Sequence, residues 1–156
     1  MTPDLFLDEN SRVLTPEAFE FVLANELKRA VRSQNFVTLV VVEPSIAGVP
    51  GVANDDRDDA VKDVARLISR DVRETDLLSR TEDGQLSVVL LDADFENSIG
   101  VIDRLMTRLH HYQFPKPLQF DVGAACCPTH GADAATLRRA AESRPIRNRS
   151  DRSSAQ

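Results

Sequence analysis

The sequence predicts an α+β domain built on a ferredoxin-like βαββαβ sheet. Two features carry that prediction. Short apolar runs and stretches of helical apolar spacing follow one another as strand, helix, strand, strand, helix, strand between Phe36 and Cys126. The two middle strands meet at Asp83-Gly84, a dipeptide that favours tight hairpins. At 156 residues the chain suits one domain with a proper core.

The elements follow in order. Residues 1–14 read as an N-terminal extension and 15–143 as the domain. Thr15 is an N-cap and Pro16 a first helical residue, ahead of an apolar face of Phe19, Val22, Leu23, Leu27, Ala30 and Val31. "FVTLVVVE", Phe36 to Glu43, is a continuous β-branched run, as in strands covered on both faces or central in a sheet. Pro44 to Asn54 reads as a loop. The acidic "NDDRDD" caps a helix over Asp58 to Arg73, with Val61, Val64, Ala65, Ile68 and Val72 as its stripe.

Asp76 to Arg80 and Gln85 to Leu91 are the hairpin strands. Phe95 to His111 is a third helix, capped by Asp92, Asp94 and Glu96, and Leu118 to Cys126 a fourth strand. Asp133 to Ser143 is a last short helix. Leaving aside the first and last helices, the arrangement places helices on one face of the sheet. Residues 144–156, basic and serine-rich, read as a disordered tail or a linker.

Net charge is -6 with a pI near 5.0, which argues against nucleic-acid or acidic-membrane binding as the main task. No apolar run approaches the roughly 20 residues of a membrane span, and the N-terminus lacks a signal-peptide pattern. A cytoplasmic location is expected. Adjacent Cys126 and Cys127 would form a strained disulfide, so they read as buried strand thiols. His110, His111 and His130 lack metal-ligand spacing and read as surface residues. No cofactor or metal is expected.

"DVARLISRDVRETDLLSRTEDGQLSVVLL" resembles the central block of GGDEF domains, the diguanylate cyclase family. Val64 and Ala65, Arg73 and Asp76, Arg80 and "SVVLL" fall at that family's offsets. "LTPEAFEFVLANEL" and "FDVGAACCPTHGADAATLRRAAES" extend the resemblance over most of Thr15 to Ser143. It implies the family's palm-type sheet.

The resemblance also implies a degenerate signature. Its five positions fall on Glu82, Asp83, Gly84, Gln85 and Leu86, so the family's metal-binding and catalytic acids coincide with Gly84 and Gln85. Glu43 stands where the first strand has a metal-binding Asp, Gly48 where it has a phosphate-binding Lys, and Gly51 near a guanine-reading Asn. Asp58 is placed at a second guanine contact. Magnesium is held against triphosphates by carboxylate oxygens, so these losses lead to the expectation of no catalytic residues and no enzyme activity.

What the resemblance keeps is the family's inhibitory site, an Arg-x-x-Asp that binds cyclic di-GMP. Arg73 and Asp76 match it, with Arg104 near a supporting arginine. A guanidinium can grip guanine O6 and N7 or a phosphate, and an aspartate can accept from guanine N1 and N2. The competing structural reading is an Arg at a helix C-terminus that only bridges Asp76.

The favoured function is a noncatalytic cyclic di-GMP receptor of bacterial signal transduction. A stacked ligand pair reaching an arginine of a second copy would couple binding to homodimerisation. The alternative is a protein-docking module with neither nucleotide site working. A third reading, a purine triphosphate in the old cleft, lacks the lysine and the metal acids.

Overall fold

The computed structural model describes residues 6–8, 13–46, 54–81, 84–143 and 145–147. In chain order the elements are β1 (Phe6–Asp8), β2 (Val13–Leu14), α1 (Pro16–Ser33), β3 (Val37–Ile46), α2 (Asn54–Asp71), β4 (Leu77–Arg80), β5 (Leu86–Leu91), α3 (Phe95–His111), β6 (Leu118–Cys127), α4 (Ala134–Ser143) and β7 (Pro145–Arg147). They form one seven-stranded sheet in the order β1-β2-β4-β5-β3-β6-β7. The four middle strands, β4-β5-β3-β6, pair antiparallel throughout, which is the ferredoxin-like order expected from the sequence.

Local chemistry sets the helix ends. The Thr15 hydroxyl accepts the Ala18 N–H at 3.2 Å, and Gln34 closes α1 in the left-handed conformation. Asp94 caps α3 by accepting the Asn97 N–H at 2.9 Å, and Asp133 caps α4 through the Thr136 N–H at 2.8 Å.

Strand β3 runs past its expected end at Glu43 because β6 pairs with it as far as Ile46. Pairing with β5 stops at Val42, so Pro44 lies where only one neighbour flanks the strand, a setting that tolerates proline.

The two helices of the βαββαβ unit lie on one face of the sheet, as expected, and α1 and α4 cover the other. On one face α2 and α3 bury Val61, Ile68, Ile102 and Met106 against Val40, Val42 and Val88. On the other, α1 and α4 bury Phe19, Leu23, Leu27 and Leu137 against Leu39, Val41 and Val89. The cause lies in β3, whose successive side chains point to opposite faces and are all apolar and buried from Leu39 to Val42.

The ends of the chain extend this sheet. β1 pairs antiparallel with β2, and β7 adds to β6 within the segment expected to be a tail. The two cysteines are free and buried, and burial pushes both thiols up. His130 is half-buried: its Nδ1 accepts the Cys126 N–H at 2.9 Å and its ring meets Phe95 edge-on. It ties the turn after β6 to the start of α3.

Candidate functional site

Between the end of α2 and the start of β4 the chain turns through Arg73 to Asp76, and the Asp76 carboxylate organises the turn. Its Oδ2 accepts the Arg73 backbone N–H at 3.1 Å and Arg73 Nε at 3.5 Å. Its Oδ1 accepts the Leu91 N–H at 3.1 Å and Arg73 Nη2 at 3.4 Å. Arg73 Nη2 also donates to the Leu91 carbonyl, bolting the turn to the end of β5. Asp76 is thus a buried anchor with a 3% exposed side chain, while that of Arg73 is 62% exposed and meets solvent.

This turn forms one wall of an open cavity of 320 Å³, with α3 opposite. Arg73, Asp76 and Arg104 all line it, together with Asp71, Asp92 and Asn97. Arg104 projects from the exposed side of α3 and, among the described residues, makes no hydrogen bond or ion pair. One turn further along, Arg108 Nε pairs with Asp71 Oδ1 at 2.9 Å. Sequence reasoning missed Asp71 and Arg108. Their only signal was an acid closing one helix and an arginine four residues beyond Arg104.

The hairpin lies at the other end of β5. Gly84 is buried with a φ of 86°, a conformation that favours glycine, and its N–H donates to the Thr81 carbonyl at 3.0 Å. Gln85 donates through Nε2 to Glu142 at 3.3 Å and accepts from Arg138 at 3.5 Å. Arg138 also reaches Ser87 at 2.9 Å and Glu20 at 2.6 Å. Leu86 is buried opposite Val42. Glu43, Gln85, Asp121 and Glu142 surround a smaller cavity of 140 Å³. Glu82, Asp83, Gly48 and Gly51 lie outside the described residues. Among the described residues no cluster of three or more His, Cys, Asp or Glu has metal-binding geometry, and no helix is long and apolar enough to cross a membrane.

Asp58 pairs with Arg80 on β4 and with Lys62 at 3.2 Å. The Arg80 hydrogen bond, with help from Lys62, holds its carboxyl below the usual range. A depressed folded-state value stabilises the fold above the unfolded carboxylate pKa of about 3.9, and the contribution is lost as pH falls through the folded value. The melting difference between wild type and Asp58→Asn is therefore expected at neutral pH and should shrink and then vanish as the pH falls below the usual carboxylate range. A difference that persists in acid would assign the effect to something other than this charge.

The family described as "Diguanylate cyclase, GGDEF domain" matches residues 55–153. The chain belongs to the GGDEF family. Its fold is similar to the GGDEF domain of FimX from Pseudomonas aeruginosa, at 17% identity over 90% of each chain with a TM-score of 0.76. A DGC protein from Thermotoga maritima is similar at 16% identity and TM-score 0.73, over 89% of this chain and 100% of that one. The GGDEF domain of DgcB from Caulobacter crescentus, solved in complex with c-di-GMP, is similar at 13% identity and TM-score 0.74, over 90% of this chain and 85% of that one. No curated protein matches.

The family match corrects one expectation. The sequence reading led to a GGDEF domain without enzyme activity, whereas the match and the similarity to a DGC protein point to a cyclase. The expectation of lost activity placed the family's acids at Gly84 and Gln85 and its lysine at Gly48; of the hairpin positions, Glu82 and Asp83 lie outside the described residues, as does Gly48. That expectation rested on single positions (Glu43, Gly48, Gly51, Gly84 and Gln85) placed by resemblance, and the family match over residues 55–153 overturns it.

Proposed function

We propose that this GGDEF domain binds cyclic di-GMP in the cavity lined by Arg73, Asp76 and Arg104, and that it acts in the cytoplasm as a ligand-responsive module of bacterial cyclic di-GMP signalling. The observation that carries the reading is the convergence of two arginines, from separate elements, on one open cavity. Cyclic di-GMP presents two phosphates and two guanines. Arginine suits both, through paired hydrogen bonds to a phosphate or to guanine O6 and N7. Asp76 holds Arg73 in place, so part of the ordering cost of binding is met before the ligand arrives. The c-di-GMP complex of the similar DgcB domain supports the choice of ligand.

Calorimetric titration of cyclic di-GMP into the wild type, Arg73→Ala and Arg104→Ala tests this, with GTP and magnesium run alongside. Each substitution is expected to weaken cyclic di-GMP binding about tenfold or more, in line with the roughly 1–3 kcal/mol of a bidentate arginine contact. Binding that both variants retain would remove the cavity from the account. Silence of the wild type toward both nucleotides would favour a protein-docking role.

A further inference from the structure

We infer that His130 is a proton-operated clasp that joins the edge of β6 to the start of α3. Among the described residues, Cys126 has a strand neighbour on one side only: β3 pairs there through Thr38, whereas β7 meets β6 at Val122 and Gly123. His130 takes the place of a strand on the open side. Its backbone N–H donates to the Cys126 carbonyl at 2.7 Å, and its ring Nδ1 accepts the Cys126 N–H at 2.9 Å. The same ring meets Phe95, the first residue of α3, edge-on with centroids 5.1 Å apart. One side chain therefore closes the turn after β6 and seats the helix.

A backbone N–H can only donate, so the bond to Cys126 needs a bare Nδ1 and a ring whose one proton sits on Nε2. A second proton must go to Nδ1. There it sets donor against donor and leaves the N–H of a fully buried residue unmade. Imidazole changes charge between pH 5 and 8. The fold holds the neutral ring while the unfolded chain takes the proton freely, so this contribution is present at neutral pH and lost as pH falls through that range. The ionisable groups of the packed elements are the Cys126 thiol, which burial keeps protonated, Asp94 and Glu96 at the start of α3, and Asp133 at the start of α4. The carboxylates draw a proton toward the ring, and the Cys126 N–H opposes it. Helix α3 also carries Asn97, Val101 and Arg104 of the 320 Å³ cavity. Unseating its start disturbs that wall, so acid should weaken ligand binding, a step that rests on the proposed reading of the cavity as a cyclic di-GMP site.

Thermal melting of the wild type and His130→Asn at about pH 8 and about pH 5.5 tests the clasp, with cyclic di-GMP titrated at both ends. An asparagine Oδ1 reaches about where Nδ1 stands, accepts the same N–H and does not titrate. Over this range the wild type is expected to lose about 4 °C more of its melting midpoint than His130→Asn, the shift that accompanies a roughly tenfold change in the folding constant. The double variant His110→Gln/His111→Gln should keep the wild-type response, since both residues are exposed at the far end of α3. Relative to His130→Asn, the wild type should also lose about fivefold or more of its cyclic di-GMP affinity on acidification. An equal melting response in wild type and His130→Asn would overturn the clasp. A pH-dependent melt beside an unchanged ratio of affinities would overturn its reach to the cavity. A wild type that binds no cyclic di-GMP at either pH would overturn the cavity reading, and the melting result would still decide the clasp.

Discussion

Asp76→Ala is expected to destabilise the fold by about 3 kcal/mol and to lower the melting midpoint by roughly 10 °C. The magnitude follows from what the carboxylate holds. Removing it leaves the Arg73 and Leu91 N–H groups without their acceptor, and leaves the bond from Arg73 Nη2 to the Leu91 carbonyl to tie the turn to the end of β5. Unmade buried donors cost about 1–3 kcal/mol each, and only part of that is recovered by water. Arg73→Ala differs, because its side chain is largely exposed and both backbone N–H groups keep their acceptor. Its cost should be about 1 kcal/mol or less, as for other exposed ion pairs. Thermal or urea unfolding of the two variants checks the asymmetry. Equal losses would mean that the guanidinium, and not the two N–H groups, holds the turn. The same asymmetry makes Arg73→Ala a fair probe of binding, since it is expected to stay folded.

Leu23→Ala and Ile68→Ala are each expected to cost about 3 kcal/mol, within the range for emptying a fully buried aliphatic site. Leu23 lies on α1 and Ile68 on α2, on opposite faces of the sheet, and both are fully buried. With the sheet between them they share no cavity, so the double variant should add to within about 0.5 kcal/mol. Urea denaturation measures all three. A Leu23→Ala loss well under about 1 kcal/mol would show α1 to be a loose appendage of a one-faced sheet.

Much of the fold was legible because its causes are local. Thr15 and Asp94 mark helix starts through bonds spanning three residues, Pro16 through its fixed backbone angle, and Asp83-Gly84 marks the hairpin in the sequence. The length of β3 was not legible, because its continuation through Pro44 depends on β6, which is distant in sequence. His130 read as a surface residue because its partner, the Cys126 N–H, belongs to a turn whose closure is not written in the spacing.

The sequence by itself determined the order of strands and helices from α1 to α4, the apolar stripe of α2, the continuous apolar run of β3, and the presence of Arg73, Asp76 and Arg104. These are properties of neighbouring residues, set by propensity, capping and periodicity. Only the tertiary structure decided which helices cover which face of the sheet, that Asp76 is spent on the backbone of its own turn and of β5, and that Asp71 meets Arg108 beside an open cavity. Those outcomes depend on how α2 docks against α3 and on where β5 ends. Packing between distant segments fixes them, and a one-dimensional pattern carries no measure of which donors will arrive at a given carboxylate.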